Sequence, residues 1–332
     1  MASPIRVIDI RKQKEPIHEE LIRACQPDAT MARLLAALRG RLDVAPEVEP
    51  TLGGALHYLL KHAGGMVRPR IVYRLAGAYG INDEAATDLA IALEYFHTAS
   101  LVFDDLPCMD NAAMRRGAPC THIAFGESAA ILAALALINR AYGMVWRAVG
   151  SCSAESREPA LAYLEQHLGI QGLLNGQSLD LNYAKLPRTL GSTERVAQGK
   201  TVSLISLTLV LPAMTGGASP RELQLLDRIS TCWGLGYQIV DDLKDVLESS
   251  STSGKTGARD ASLDRPNMAL AIGVGGAVRR LQRLIRAGDR SLDMLVRLRP
   301  SLDFLREFRD TLEDELHRVI EGAGAIPIDR KR

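Results

Sequence analysis

Cysteine is scarce in this sequence and never paired. Cys25, Cys108, Cys120, Cys152 and Cys232 are scattered through 332 residues. None forms a C-x-x-C pair, so neither a zinc framework nor a disulfide scaffold is indicated. An excess of one charge is lacking too. Forty Lys and Arg offset 39 Asp and Glu, a formal net charge of +1, so no strong field draws the chain to nucleic acid or anionic lipid. The opening MASPIRVIDIRKQKEPIHEE has no apolar core of the kind a secretory signal carries. A membrane span needs about 18 predominantly apolar residues. The nearest candidate, Thr201 to Pro220, holds serines, threonines, two glycines and two prolines, and only Val202–Met214 is strongly apolar. That suits a buried core helix. The C-terminal PIDRKR is no lipidation box. The expectation is a cytoplasmic protein with no membrane span and no nucleic-acid partner.

Alternating apolar and polar runs bounded by turns are also missing, which argues against strands. Helical spacing takes their place. Residues 1–15 are polar and mixed and read as a loose arm. From Pro16 the pattern turns helical, with Ala32, Leu34, Leu35, Leu38 and Leu42 at helical intervals. Further helices are expected at Leu52–Lys61, Arg70–Ala78, from Asn82 to Asp105, at Ser128–Val149, and over Pro159–Tyr183 with interruptions at Gly169, Gly172 and Gly176. Others are expected over 194–214, from Pro220 onward, and at Met268–Gly273, Gly276–Ala287 and Ser301–Gly322. The stretch 249–267 is rich in Gly and Ser and reads as a loop. No repeat or interdomain linker is evident. The sequence implies one all-α domain, a large helical bundle over residues 16–325, with a polar tail at 326–332.

What the sequence does have is carboxylates in an unusual place. Asp104, Asp105 and Asp110 end an apolar segment that runs from Phe96 to Phe103. Asp241, Asp242 and Asp245 end another, Leu235–Val240. Buried carboxylates need a partner, so something cationic must meet each cluster. Asp241 and Asp245 are four apart and share a helix face. Pro107, which removes a backbone donor and bends a helix, offers Asp110 a way to converge with Asp104. Oxygen-only ligands suit a hard cation such as Mg²⁺, which takes one or two carboxylates and completes its shell with waters and phosphate oxygens. Phosphate-type cations stand nearby in sequence: Arg115, Arg116, Lys200 and Lys255. A di-iron bundle needs Glu-x-x-His on two helices, and Glu94–His97 is a single match. Gly254-Lys255-Thr256 lacks the first glycine of a phosphate-binding P-loop.

These residues resemble the trans-isoprenyl diphosphate synthases, the family of geranyl-, farnesyl- and geranylgeranyl-diphosphate synthases. Asp104-Asp-Leu-Pro-Cys-Met-Asp110 with Arg115-Arg116-Gly117 is similar to the first aspartate-rich motif, and Tyr237-Gln238-Ile239 with Asp241-Asp-Leu-Lys-Asp245 to the second. Gly176-Gln177 with Asp180, Lys200-Thr201 with Leu204, and Gly254-Lys255 with Asp260 match further positions in order. The resemblance implies an isoprenoid synthase fold and a prenyltransferase that condenses isopentenyl diphosphate with an allylic diphosphate. It implies about three Mg²⁺ ions, held by Asp104, Asp105, Asp110, Asp241, Asp242 and Asp245. Arg115, Lys200 and Lys255 would contact the allylic diphosphate in the region of Gln177. Arg68, His97 and Arg116 would bind isopentenyl diphosphate, and Lys200, Thr201 and Gln238 would line the place where the carbocation forms. The family is usually homodimeric, and the apolar helix 128–149 could serve an interface.

The sequence departs from the family pattern at three places. The usual Gly-Gly-Lys-Arg-x-Arg-Pro is Ala63-Gly64-Gly65-Met66-Val67-Arg68-Pro69, so Gly65 and Met66 stand where a lysine and an arginine grip isopentenyl diphosphate. The usual Gly-Asp of the next helix is Ala134-Leu135. The usual Lys-x-Thr-Tyr/Phe-Pro is Asp264-Arg-Pro-Asn-Met268. The first change keeps two further classes in view: a terpene synthase-like enzyme that ionises a prenyl diphosphate alone, and a catalytically weak regulatory subunit of a hetero-oligomeric synthase. In the family, the fifth residue before the first aspartate sets product length. Here it is Ala99, followed by Ser100, both small. Tyr95 and Phe96 lie one turn deeper, where either could close the tunnel. The expected product is geranylgeranyl diphosphate, C20.

Overall fold

Asn82 starts the helix that the rest of the fold surrounds. Its side chain accepts a hydrogen bond from the Ala85 amide at 3.0 Å, and Asp83 and Glu84 follow in the first turn, where carboxylates suit the helix dipole. The computed structural model describes residues 29–247 and 265–322. In chain order its helices are α1 (Ala29–Gly40), α2 (Pro50–Lys61), α3 (Val67–Ala78), α4 (Asp83–Asp104), α5 (Thr121–Phe125), α6 (Glu127–Gly150) and α7 (Ala154–Leu168). Then come α8 (Leu173–Leu181), α9 (Leu190–Ala197), α10 (Ser203–Thr215), α11 (Pro220–Leu247), α12 (Met268–Ile272), α13 (Val274–Leu298) and α14 (Leu305–Gly322).

α4 is buried on every side, with Leu89, Ile91, Leu93 and Tyr95 all sealed from solvent. A helix apolar all round belongs in a core. α6 lies along it, offering Ala130, Ala134 and Ala141, whose small side chains allow close approach. α3, α1 and α10 pack on its other sides. α11 is the second axis. It packs along α13, which buries Leu281, Leu284, Leu292 and Leu295, and against α10 and α14. Asp104 and Asp105 therefore sit at the C-terminal end of one long helix, and Asp241, Asp242 and Asp245 in the last turns described of the other. A helix C-terminus disfavours negative charge, which adds to the demand for cations.

The architecture is all-α, as the periodicity implies, with several local differences. A two-residue hairpin pairs Met114–Arg115 with Ala118–Pro119, too short for an alternating pattern to register. The helix expected over 159–183 is two helices, α7 and α8, because the chain breaks at Gly169 and Gly172. The helix expected over 194–214 is interrupted by a π-helical turn, Gln198–Val202. α13 runs past Ala287 because Gly288 is no terminus. A Cβ there would lie 3.2 Å from the Trp233 indole nitrogen, so the glycine serves packing. The domain limits at 16 and 325, the arm 1–15, the tail 326–332 and Lys255 lie outside the described residues.

Among the described residues, two helical stretches are long and apolar enough to cross a membrane by length and composition, Glu127–Gly150 and Leu190–Thr215. The second is mostly buried within the fold. The first, α6, leaves an apolar face open: Leu132, Leu135, Tyr142 and Trp146 are 46–66% exposed.

Candidate active site

α4 ends at Asp104, before Pro107, so the proline follows the helix instead of bending it. The chain then turns back on itself, and the Asp110 amide donates to the Asp104 carbonyl at 2.9 Å. Asp110 thus returns beside Asp104 by way of a turn. Burial pushes the Asp104 carboxyl up to about 6; Lys200 opposes the rise and the Asp110 charge adds to it. Asp105 faces elsewhere. Arg115 Nε and Nη2 donate to its oxygens at 2.7–2.9 Å. The hairpin sets this up, because Arg116 (φ 53°) and Gly117 (φ 75°) form a tight turn with both central residues left-handed, as two-residue hairpin loops require.

Lys200 lies between the first cluster and α8. Its ammonium is 2.7 Å from Asp180 Oδ2 and 3.7 Å from Asp104 Oδ2. Burial works against its charge, but Asp104 and Asp180 outweigh burial and raise its pKa. Two glycines permit this placement. A Cβ on Gly176 would lie 2.2 Å from the Lys200 amide nitrogen, and one on Gly199 would lie 2.6 Å from the Gly176 Cα. Backbone meets backbone there, and the π-helical turn, a form frequent at functional sites, carries Lys200 and Thr201. From Thr201 a hydrogen-bond chain runs onward. Its hydroxyl donates to Gln238 Oε1 at 2.6 Å, Gln238 Nε2 donates to Asp242 Oδ1 at 2.8 Å, and the Met268 amide donates to Asp242 Oδ2 at 2.6 Å. Asp242 is buried and committed to these donors. Asp241 and Asp245 are half-buried on α11. Gln177 reaches Met109 Sδ at 3.6 Å, which puts it beside the first cluster.

Arg68, His97 and Arg116 gather around the buried carboxyl of Glu94, beside the Asp105–Arg115 pair, with which Arg116 shares a pocket. Burial raises the Glu94 pKa, and the Arg68 and Arg116 charges oppose that rise. Burial, then Arg68 and Arg116, hold His97 well below its ordinary range, so its ring is neutral. His97 Nδ1 and Arg68 Nε are buried with no hydrogen-bond partner. Arg116 lies across Gly64, where a Cβ would be 2.5 Å from its Nη2, and donates to the His62 carbonyl at 3.2 Å. Met66 is buried, in a left-handed conformation (φ 53°). Lys61 is exposed.

Of the chain-length candidates, Ala99 is fully buried and Ser100 half-buried. Tyr95 is turned toward α1, its hydroxyl donating to the Leu38 carbonyl at 2.5 Å. Phe96 meets the edge of Tyr142 on α6, ring centroids 4.9 Å apart.

The sequence alone did not single out Arg265. Its Nη2 donates to Asp110 Oδ1 at 2.8 Å and to the Met109 carbonyl at 3.1 Å. It stands inside the departure Asp264–Met268, whose arginine was the available signal. Glu94 was read only as part of a Glu-x-x-His match. Among the described residues, no three His, Cys, Asp or Glu side chains converge as a closed metal cage would require. The donors are nonetheless all oxygen, and Asp104 is a buried carboxylate whose charge Lys200 offsets only in part. Such a site fits a hard ion that takes part of its shell from a ligand.

Comparison with known proteins gives this geometry its family. Residues 49–293 match the family model described as polyprenyl synthetase. The chain belongs to the polyprenyl synthetase family. A relative from Arabidopsis thaliana, "Putative geranylgeranyl pyrophosphate synthase 8, chloroplastic", is 34% identical over 269 residues, covering 79% of this chain and 74% of the relative. A geranylgeranyl diphosphate synthase from Pseudescherichia vulneris is 38% identical over 205 residues, 62% of this chain and 65% of its own. The structure of a Helicobacter pylori geranyltransferase complexed with magnesium and isoprenyl diphosphate superposes with a TM-score of 0.73 at 25% identity, covering 93% of this chain and 99% of that one. This polyprenyl synthetase is therefore an all-α prenyltransferase of the isoprenoid synthase fold, as the two aspartate motifs imply.

Proposed function

We propose that the protein condenses isopentenyl diphosphate with an allylic diphosphate, with geranylgeranyl diphosphate the main product. The observation that supports this is a pair of cation groups in different settings, one beside buried carboxylates and one with buried donors left over. One is the Asp104–Lys200–Asp180 group with the second cluster. The other is Arg68, His97 and Arg116, which hold buried unpaired donors. A two-substrate diphosphate enzyme needs both.

Asp104, Asp105, Asp110, Asp241, Asp242 and Asp245 would hold magnesium, about three ions by family resemblance, with Asp105 oriented by Arg115 and Asp242 by Gln238 and the Met268 amide. Magnesium would neutralise charge on the departing diphosphate. The chain's own residues do the rest. Lys200, kept charged by its carboxylates, meets the negative charge that develops as the allylic C–O bond breaks. Thr201 and Gln238, locked by their hydrogen bond, give the carbocation fixed dipoles in a water-poor place. Arg68 and Arg116 anchor the second diphosphate, and neutral His97 can donate to it without adding repulsion. The isopentenyl double bond then attacks the cation, and a proton is lost to the released pyrophosphate.

Gly65 and Met66 favour one second reading, ionisation of a prenyl diphosphate without isopentenyl diphosphate, because two cations of the usual grip are missing. The exposed face of α6 supports a homodimer, since a contiguous apolar patch on a soluble protein marks an interaction surface. The deciding experiment incubates the protein with Mg²⁺, labelled isopentenyl diphosphate, and dimethylallyl, geranyl or farnesyl diphosphate in turn. Label in a longer chain supports the condensation. Pyrophosphate release with an unlabelled hydrocarbon or alcohol supports the second reading.

A further inference from the structure

The segment Arg265–Met268 is fastened to both aspartate clusters. At one end Arg265 holds Asp110 and the Met109 carbonyl. At the other, the Met268 amide donates to Asp242 Oδ2 at 2.6 Å and Asn267 Nδ2 donates to the Asp242 carbonyl at 3.1 Å. The Arg265 side chain is 10% exposed, and its Nε is sealed from solvent without a hydrogen-bond partner. Buried polar groups are rarely left so. One prong of the guanidinium thus grips a metal-type carboxylate, and another is uncommitted.

We propose that Arg265 is the resident counter-cation of Asp110 and sets the order of metal loading: the Asp110 carboxylate takes a divalent ion only when a diphosphate-type anion draws the guanidinium away. This rests on the reading of the clusters as a magnesium site. The physics is a competition that an anion reverses. A guanidinium 2.8 Å from Asp110 Oδ1 holds a lone pair that a metal would need, and two cations that close repel each other. Lys200 adds to the local positive charge. A diphosphate supplies negative charge and acceptor oxygens, which suit the planar fork of an arginine and complete a magnesium shell. Metal and arginine are then competitors without the anion and neighbours with it. Free magnesium alone binds this protein weakly, and anion and metal enter together.

The test is a Mn²⁺ titration followed by electron paramagnetic resonance on the full-length protein, with and without inorganic pyrophosphate. Wild type is compared with R265Q, R265A and R265K, each checked for helical content by circular dichroism. Two neutral variants guard against one of them failing to fold. Breaking one charge-assisted hydrogen bond sets the scale. Without pyrophosphate, R265Q and R265A bind Mn²⁺ about tenfold more tightly than wild type, and R265K stays within about threefold of wild type. D110N/R265Q loses that gain, which places the competition at Asp110. Pyrophosphate tightens binding far more in wild type than in R265Q. Equal Mn²⁺ affinity in wild type and both neutral variants, with pyrophosphate-dependent binding intact, overturns the proposal and leaves the metal site standing. No Mn²⁺ binding to wild type at any pyrophosphate concentration overturns both.

Discussion

Restoring a lysine at position 65 tests where the second substrate sits. Gly65 is not in a left-handed conformation, and a Cβ there would meet only Val67 Cγ2, at 3.8 Å. Lysine therefore fits without backbone strain. It starts one residue from Gly64, over which the Arg116 guanidinium lies, so its ammonium can reach a phosphate shared with Arg68 and Arg116. One charge-assisted hydrogen bond is worth roughly 1.5–3 kcal/mol, or ten- to a hundredfold in binding. Ordering a lysine side chain costs up to about 2 kcal/mol, and Arg116 repels the newcomer. The expected result is the lower end, a fall of about tenfold in KM for isopentenyl diphosphate, with KM for the allylic partner unchanged. Steady-state kinetics at saturating allylic diphosphate measure it, KM reporting affinity where chemistry is slow relative to dissociation. M66R is the contrasting variant. Met66 is buried, so arginine there must bury a charge among apolar neighbours, which costs stability and yields no gain. An unchanged isopentenyl KM in G65K, or a change confined to the allylic KM, would refute the assignment of Arg68, His97 and Arg116 to the second substrate.

G64A puts a Cβ 2.5 Å from Arg116 Nη2. The flexible guanidinium gives way at little cost in Tm, and isopentenyl KM rises several-fold while the allylic KM holds. In chelator, the raised pKa of Asp104 makes its charge a folding penalty. The penalty is absent below its unfolded value of 3.8 and complete above about 6, worth about 3 kcal/mol from the roughly two-unit shift. Metal-free wild type should lose stability relative to D104N as pH rises from 4 to 6.5, read by urea unfolding, and parallel curves would discard that account. Y95F removes a hydroxyl that faces α1 and should leave product length at C20. F96A opens the contact with Tyr142 and should lengthen the product in chromatographic analysis. L135E should shift the protein to a monomer in light scattering if α6 is the shared face.

Much of this was legible in the sequence because periodicity reports burial. The aspartates ending apolar runs, the all-α class and the extent of α4 follow from patterns that one helix imposes on itself. What escaped depends on contacts between distant segments. Gly276–Ala287 looked like a whole helix because nothing local says that Gly288 faces Trp233. The π-helical turn sits where Gly199 meets Gly176, a contact between distant segments. Asp105 and Asp242 looked equivalent to their neighbours until the hairpin and the start of α12 supplied them with donors. Arg265 looked like a mere departure because its partner lies 155 positions away.

The π-helical turn at Gln198–Val202 has a consequence for insertions and deletions. A helix that widens to i→i+5 pairing carries an extra residue, which sets α9 and α10 out of phase by about 100° relative to an uninterrupted α-helix. Deleting one residue from this turn would leave a continuous, well-bonded helix of ordinary geometry. It would also rotate everything on one side of the deletion by a residue's worth of arc. Lys200 would no longer face Asp180 and Asp104, or Thr201 would no longer face Gln238. A sequence one residue shorter here could fold as well and react far worse, so length at this point is as informative as residue identity.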